Sequence, residues 1–172
     1  MPESSPVSPS APLEIRPVRP DEYDEAGVLV EAAYTAGGVL DNDRGYGAHV
    51  RNVAGRAPDH PVLVAVRDGR IVGSVTITPP GTPQSELAQD GEVEFRFLAV
   101  AQEAWGTGVA EAMVAAVAEW AREHGAHRLV LCVIETNLAA ARLYERLGFE
   151  RNPERDWVPV PEVVLHCWQR EL

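Results

Sequence analysis

The sequence contains no lysine, so its 15 basic side chains are all arginines, set against 26 acidic ones. With alanine so abundant, the missing lysine reads as codon bias. The formal charge of −11 argues against a nucleic-acid partner, since affinity for a phosphate backbone comes mainly from cations that neutralise it. The acidic surplus is then either a solvated surface or a field drawing a cationic substrate toward a cleft. Cysteine is scarce as well. Cys132 and Cys167 each sit inside an apolar run, as small core hydrophobes without metal-ligand spacing. No apolar run is long enough to span a bilayer. The N-terminus offers Glu3 and a Ser/Pro cluster where a secretory signal needs basic residues and then an apolar block. These absences predict a reducing, cytoplasmic setting with no membrane partner and no metal.

A chain of 172 residues suits one domain with a proper core. Residues 1–12 are dominated by Ser and Pro and read as a disordered leader, which leaves 13–172 as the folded domain. Leu13, Ile15 and Val18 outline a short strand. Arg19-Pro20-Asp21-Glu22 then starts a helix running to about Tyr34, and Gly37-Gly38 stops it. A weaker helical segment spans roughly Arg44 to Ala54. Pro61 to Val66 and Ile71 to Thr78, joined through Asp68-Gly69, form a β-hairpin. A polar loop from Pro79 to about Gly91 follows, and loops of this kind often border binding sites.

The next stretch organises the chain. Glu94 to Val100 reads as a strand. After Ala101 to Trp105, Gly106-Thr107-Gly108-Val109-Ala110 opens a helix that reaches Glu123 and ends at His124-Gly125. Two glycines at a strand-to-helix turn let a ligand approach the backbone, and the free N–H groups of the helix start suit an anion such as phosphate; glycine turns without a ligand share this pattern. Arg128 to Ile134 is a buried-type strand, which makes a βαβ crossover with parallel strands. Asn137 caps a helix to Leu147 that stops at Gly148, and Val163 to Trp168 forms a terminal strand. Ala140, Tyr144 and Leu147 share one face of the helix. Tyr144 is there either a core aromatic or a phenol able to donate a proton. His124 and His127 straddle Gly125 and share no helix face, so they make no metal pair.

Glu94 to Phe149 carries two motifs, the glycine turn after a strand and the complete Asn137-x-x-Ala140-x-x-Leu143-Tyr144-x-x-Leu147-Gly148-Phe149 segment, and together they resemble the GCN5-related N-acetyltransferase (GNAT) superfamily. The resemblance implies an α/β, single-domain fold whose mixed, twisted sheet splays at a central V-shaped slot and is flanked by helices. It implies acetyl-CoA as co-substrate, no metal, and acetyl transfer by direct attack of a small-molecule or peptide amine; it leaves a homodimer open. By resemblance, Leu98 and Val100 offer backbone partners to the pantetheine arm, the Leu98 N–H facing the thioester carbonyl as an oxyanion stabiliser. Trp105, Gly106, Thr107, Gly108, Val109 and Ala110 correspond to the pyrophosphate turn, with Trp105 where the pattern has Gln or Arg. Asn137 is placed to bond the pantetheine amides or to cap its helix, and Tyr144 corresponds to the proton donor for the leaving thiolate. Glu94 falls at the position of the catalytic base, with Glu92 on the same strand face as the alternate and no dedicated base as the third option. A non-catalytic acyl-CoA sensor of the same fold is the alternative reading, kept alive by Trp105. A dinucleotide-binding fold is disfavoured because Glu111 replaces the third glycine of its fingerprint.

Overall fold

The computed structural model describes residues 11–40 and 45–172. The expected leader falls almost wholly outside them, as does Arg44 at the start of the weaker helical segment. Among the described residues, eight strands form one mixed sheet: β1 (Glu14–Pro17), β2 (Val62–Arg67), β3 (Arg70–Thr78), β4 (Glu92–Val100), β5 (Arg128–Ile134), β6 (Glu150–Arg151), β7 (Trp157–Val160) and β8 (Val163–Glu171). Their order is β1-β2-β3-β4-β5-β8-β6, with β7 paired to β8. Among the described residues, five α-helices accompany them: α1 (Tyr23–Ala36), α2 (Tyr46–Arg51), α3 (Val53–Arg56), α4 (Val109–Glu123) and α5 (Leu138–Arg146). The chain groups into two compact units, one of residues up to Val75 with Phe97–Val114, the other of Thr76–Arg96 with Ala115–Leu172. β3, β4 and α4 run through both.

In the first unit, Ala26 of α1 and Val53 of α3 pack on Val62 and Val64 of β2 and Ile71 of β3. The β2–β3 turn is the two-residue one that Asp68-Gly69 predicts. Both residues take positive φ, 52° and 71°, as the favoured hairpin turn demands. The expected helix near residue 50 is broken in two, because Asn52 leaves helical geometry and its side chain accepts the Gly55 N–H to cap α3. Gly73 on β3 lets α4 come close: a Cβ there would stand 2.7 Å from Met113 Sδ and 3.0 Å from Val109 Cγ1. Gly73→Ala should therefore cost about 1–3 kcal/mol by overpacking, read as a lowered urea midpoint.

The second unit joins β4 to β5 in parallel, in the expected crossover, and β5 to β8 antiparallel from Arg128↔Glu171 to Ile134↔Leu165. Cys132 and Cys167 are register partners on β5 and β8, both free thiols. Burial pushes their pKa values up, to about 12 and about 11, so both stay protonated. Cys167 is a core residue as expected, and Cys132 is half-buried.

Candidate active site

The β4–β5 ladder is short. It pairs Glu92 with Arg128, Val93 with Leu129 and Glu94 with Val130, and then stops, while β5 continues along β8 as far as Ile134. Glu94 thus occupies the last paired position, where the two parallel strands part.

Glu94 is 2 % exposed. One oxygen, Oε2, accepts two backbone N–H groups from the preceding loop, Glu86 at 2.8 Å and Leu87 at 3.0 Å. Burial raises its carboxyl pKa above the ordinary value, against the lowering pull of the two amides and of Arg96. A carboxylate destabilised in this way is a better proton acceptor than one in water. Its strand neighbour Phe95 leaves the opposite face of β4. There the Phe95 ring meets Tyr144 of α5 at 6.0 Å and Phe149 at 6.2 Å, and Tyr144 and Phe149 are 5.6 Å apart, edge to face. Tyr144 is therefore a core aromatic by its ring. Its hydroxyl nevertheless has no hydrogen-bond partner among the described residues, and burial raises its pKa well above the ordinary phenol value, so the proton stays on. Asn137 caps α5 by accepting the Ala140 N–H at 3.1 Å through Oδ1. The expected capping is present, and it leaves the amide NH₂ as a donor.

Glu92 lies two residues from Glu94 and is equally buried, but its surroundings differ. Arg155 donates to both its oxygens, at 2.9 and 3.0 Å, Arg128 donates at 3.1 Å and the Gln89 N–H at 3.0 Å. Burial, the largest single effect, pushes its pKa up, yet these donors together hold it below the ordinary value. Glu92 is consequently a poor base and a strong structural anchor. Arg155 also donates to the Leu87 carbonyl, and Arg96 donates to the Gln84 carbonyl at 3.1 Å and pairs with Glu86 at 2.9 Å. The loop predicted to edge a binding site is pinned by four side chains, with the amides of Glu86 and Leu87 turned onto Glu94. Nothing local announced Arg155, which lies 63 residues from Glu92 in the chain.

The other candidates belong to the first unit. Phe97 takes φ 58° inside β4, a left-handed conformation that bends strands at bulges and costs a non-glycine residue on the order of 1 kcal/mol. Its ring is buried under the Arg56 guanidinium, 4.2 Å from the centroid, and beside His49 at 5.5 Å; burying a Phe contributes about 2–3 kcal/mol and outweighs the strain. Phe97 and Ala99 pack on Val30 and Val50, so Leu98 and Val100 leave the other face of the strand, where both are half-buried. The Val100 carbonyl is not idle: Trp105, 48 % exposed, donates its indole N–H to it at 2.8 Å. Trp105 thereby ties the turn back to the strand, a role the sequence did not disclose.

The glycine turn itself is as expected, except that α4 begins at Val109 and not at Gly106. Gly106 and Gly108 hold φ at 75° and 85°, and a Cβ on either would meet open space. Backbone conformation, and not crowding, requires glycine at both. Thr107 donates its hydroxyl to the Ala104 carbonyl at 2.6 Å and accepts from Arg67 Nη1 at 3.0 Å. The first N–H groups of a helix have no partner within it, so the start of α4 suits an anion. Among the described residues there is no cluster of three His, Cys, Asp or Glu able to hold a metal, and no helix is long and apolar enough to cross a membrane.

The strand with a buried carboxylate, the positive-φ glycine turn and the capped helix bearing a buried tyrosine are each present. The sequence matches the profile of the Acetyltransferase (GNAT) family over residues 21–149. The chain belongs to the GNAT acetyltransferase family. It is 29 % identical to human N-acetyltransferase 8B over 107 residues, covering 62 % of this chain and 42 % of that protein. It is also 29 % identical to an uncharacterized N-acetyltransferase of Schizosaccharomyces pombe over 109 residues, 62 % of this chain and 63 % of the other. The chain thus spans less than two thirds of the length of either relative. Among solved structures, yncA from Salmonella typhimurium, crystallised with acetyl-CoA, shares the GNAT fold at a TM-score of 0.69 and 22 % identity, covering 93 % of this chain and 94 % of that one.

Proposed function

We propose that this GNAT chain transfers an acetyl group from acetyl-CoA to a primary amine, as a single domain over residues 13–172, with Glu94 as the base. The observation carrying this reading is a buried carboxylate of raised pKa at the last paired position of β4 and β5, held by two loop amides through a single oxygen. A protonated amine cannot attack. Glu94, directly or through one water, takes its proton, and a raised pKa lies closer to that of the amine than an ordinary carboxylate would. The nitrogen then adds to the thioester carbonyl carbon, the Leu98 N–H stabilises the oxyanion, and the C–S bond breaks. Tyr144 faces the departing sulfur, donates a hydrogen bond and then its proton, and is reprotonated from solvent. Burial that raises the pKa of the phenol also raises that of a thiol beside it, so the proton transfer remains open. The backbone of Leu98 and Val100 and the Asn137 amide hold the pantetheine arm. The turn from Trp105 through Gly106, Thr107, Gly108 and Val109 to Ala110 holds the pyrophosphate. Release of free CoA thiol, screened over amino acids, polyamines, aminoglycosides and peptides, tests the proposal. Thiol release dependent on one amine class supports it, and calorimetric binding of acetyl-CoA with no release across the panel supports the sensor reading instead.

Tyr144→Phe separates chemistry from binding. The hydroxyl has no partner within the described protein, so its loss should leave the urea midpoint and the acetyl-CoA Kd within about twofold of the parent while kcat falls roughly 10- to 100-fold. A matched loss of affinity would make Tyr144 a binding residue only.

A further inference from the structure

We infer that Arg67, at the end of β2, supplies the positive charge by which the glycine turn holds the pyrophosphate of CoA; this rests on the acetyl-CoA reading of that turn. From Trp105 to Ala110 the turn has no cationic side chain, and the first turn of α4 adds the acidic Glu111. An anion seated on these amides would meet no charge of opposite sign from the turn's own residues. Arg67 meets that need from 40 residues away. It is 5 % exposed, and its Nη1 reaches the Thr107 hydroxyl at 3.0 Å, midway between the two positive-φ glycines.

Nε is buried with no hydrogen-bond partner, and Arg67 forms no ion pair among the described residues. A largely buried guanidinium whose one protein partner is a neutral hydroxyl is unfavourable, and such charges in proteins are paired or face an ionic ligand. Nε is enclosed by protein, which leaves Nη2 as the guanidinium nitrogen able to donate to a phosphate. Thr107, whose hydroxyl donates to the Ala104 carbonyl, holds Arg67 beside the turn, so the guanidinium and the start of α4 serve one anion. The side chain missing at Trp105 is replaced from a different strand.

The test is calorimetry on the full chain, parent and Arg67→Met, with four probes: CoA, dephospho-CoA lacking the 3′-phosphate, pantetheine lacking all phosphates, and inorganic pyrophosphate. Arg67→Met should bind CoA and dephospho-CoA at least tenfold more weakly, with a flatter salt dependence, and bind pantetheine as the parent does. Arg67→Lys should recover part of the loss. The ligand-free Tm of Arg67→Met should not fall, because an uncompensated buried charge has been removed. CoA affinity within twofold of the parent overturns the inference. So does an equal loss for CoA and pantetheine together with a lowered Tm, which would make Arg67 a strut for the turn. A loss confined to CoA and absent with dephospho-CoA overturns the pyrophosphate assignment. Parent protein that binds pyrophosphate through Arg67 but not CoA would uphold the anion site and sink the acetyl-CoA reading.

Discussion

Glu94→Gln should lower kcat by about 10²- to 10³-fold at pH 7, the range expected when a positioned general base is lost. The substitution is unusually clean. Both loop amides donate to the same carboxylate oxygen, so the single carbonyl oxygen of glutamine can accept both and keep the loop from Pro79 to Gly91 in place. The pH dependence follows from the sign of the shift. Burial raises the Glu94 pKa, so parental activity should be full above that raised value and fall as pH drops through it. Without the base the amine must lose its proton to water, and the profile of Glu94→Gln should climb toward higher pH with no acid limb from residue 94. Stability moves the other way. A raised folded pKa stabilises the protein only where the group is protonated, and above it the buried charge is a cost that glutamine removes. The Tm of Glu94→Gln at pH 7 should equal or exceed that of the parent. An unchanged pH profile would remove Glu94 as the base.

Arg155→Met should be the most destabilising single change, at about 3–5 kcal/mol, because it strips Glu92 of a bidentate partner and leaves a nearly fully buried carboxylate with only Arg128 and one amide. For a domain of this size that corresponds to a drop in Tm of roughly 10 °C. The loss depends on pH. The Glu92 pKa is held below its ordinary value in the fold, so its stabilisation is complete above the unfolded-state value of 4.5 and disappears as pH falls through the lowered one. Urea titrations of parent and variant should therefore differ most at neutral pH and converge as acidification protonates Glu92. Replacing Glu92 by Gln in the Arg155→Met background should restore much of the stability, since the unpaired charge is then gone. Activity should fall as well, because Arg155 also fixes the Leu87 carbonyl and so the loop that Glu94 anchors. A variant as stable as the parent would show that the triad contributes nothing net.

What could be read from the sequence was whatever short-range pattern decides. The Asp68-Gly69 hairpin, the strand entering Gly106 to Ala110, the Asn137 cap and the Gly148 stop all follow from the conformational demands of a few adjacent residues, and the structure contains each of them. Long-range pairing was not legible. Glu92 and Glu94 look alike in sequence, yet Arg155, the Gln89 amide and Arg128 hold the Glu92 pKa down against its burial, while burial raises that of Glu94 against the pull of its two loop amides. The same holds for Arg67, which reads as a hairpin residue until its guanidinium is found on Thr107. The short strands β6 and β7 lack a periodic signal because they are two and four residues long and depend on β8 for pairing. The positive φ of Phe97 defies its residue type and is stabilised by packing on Arg56, His49, Val30 and Val50. The later start of α4 arises because both glycines are spent on the turn itself.

The most direct test of amine acetylation by this chain is a single turnover followed by mass spectrometry. Protein in excess over acetyl-CoA is mixed with the amine that gives the fastest thiol release, and the acetyl group is traced over time. Direct attack predicts that it leaves CoA and appears on the amine at one common rate, with no acetylated protein at any time, and that Glu94→Gln slows both equally. Acetyl remaining on bound CoA with every amine tried, or appearing on the protein before the amine, would contradict it.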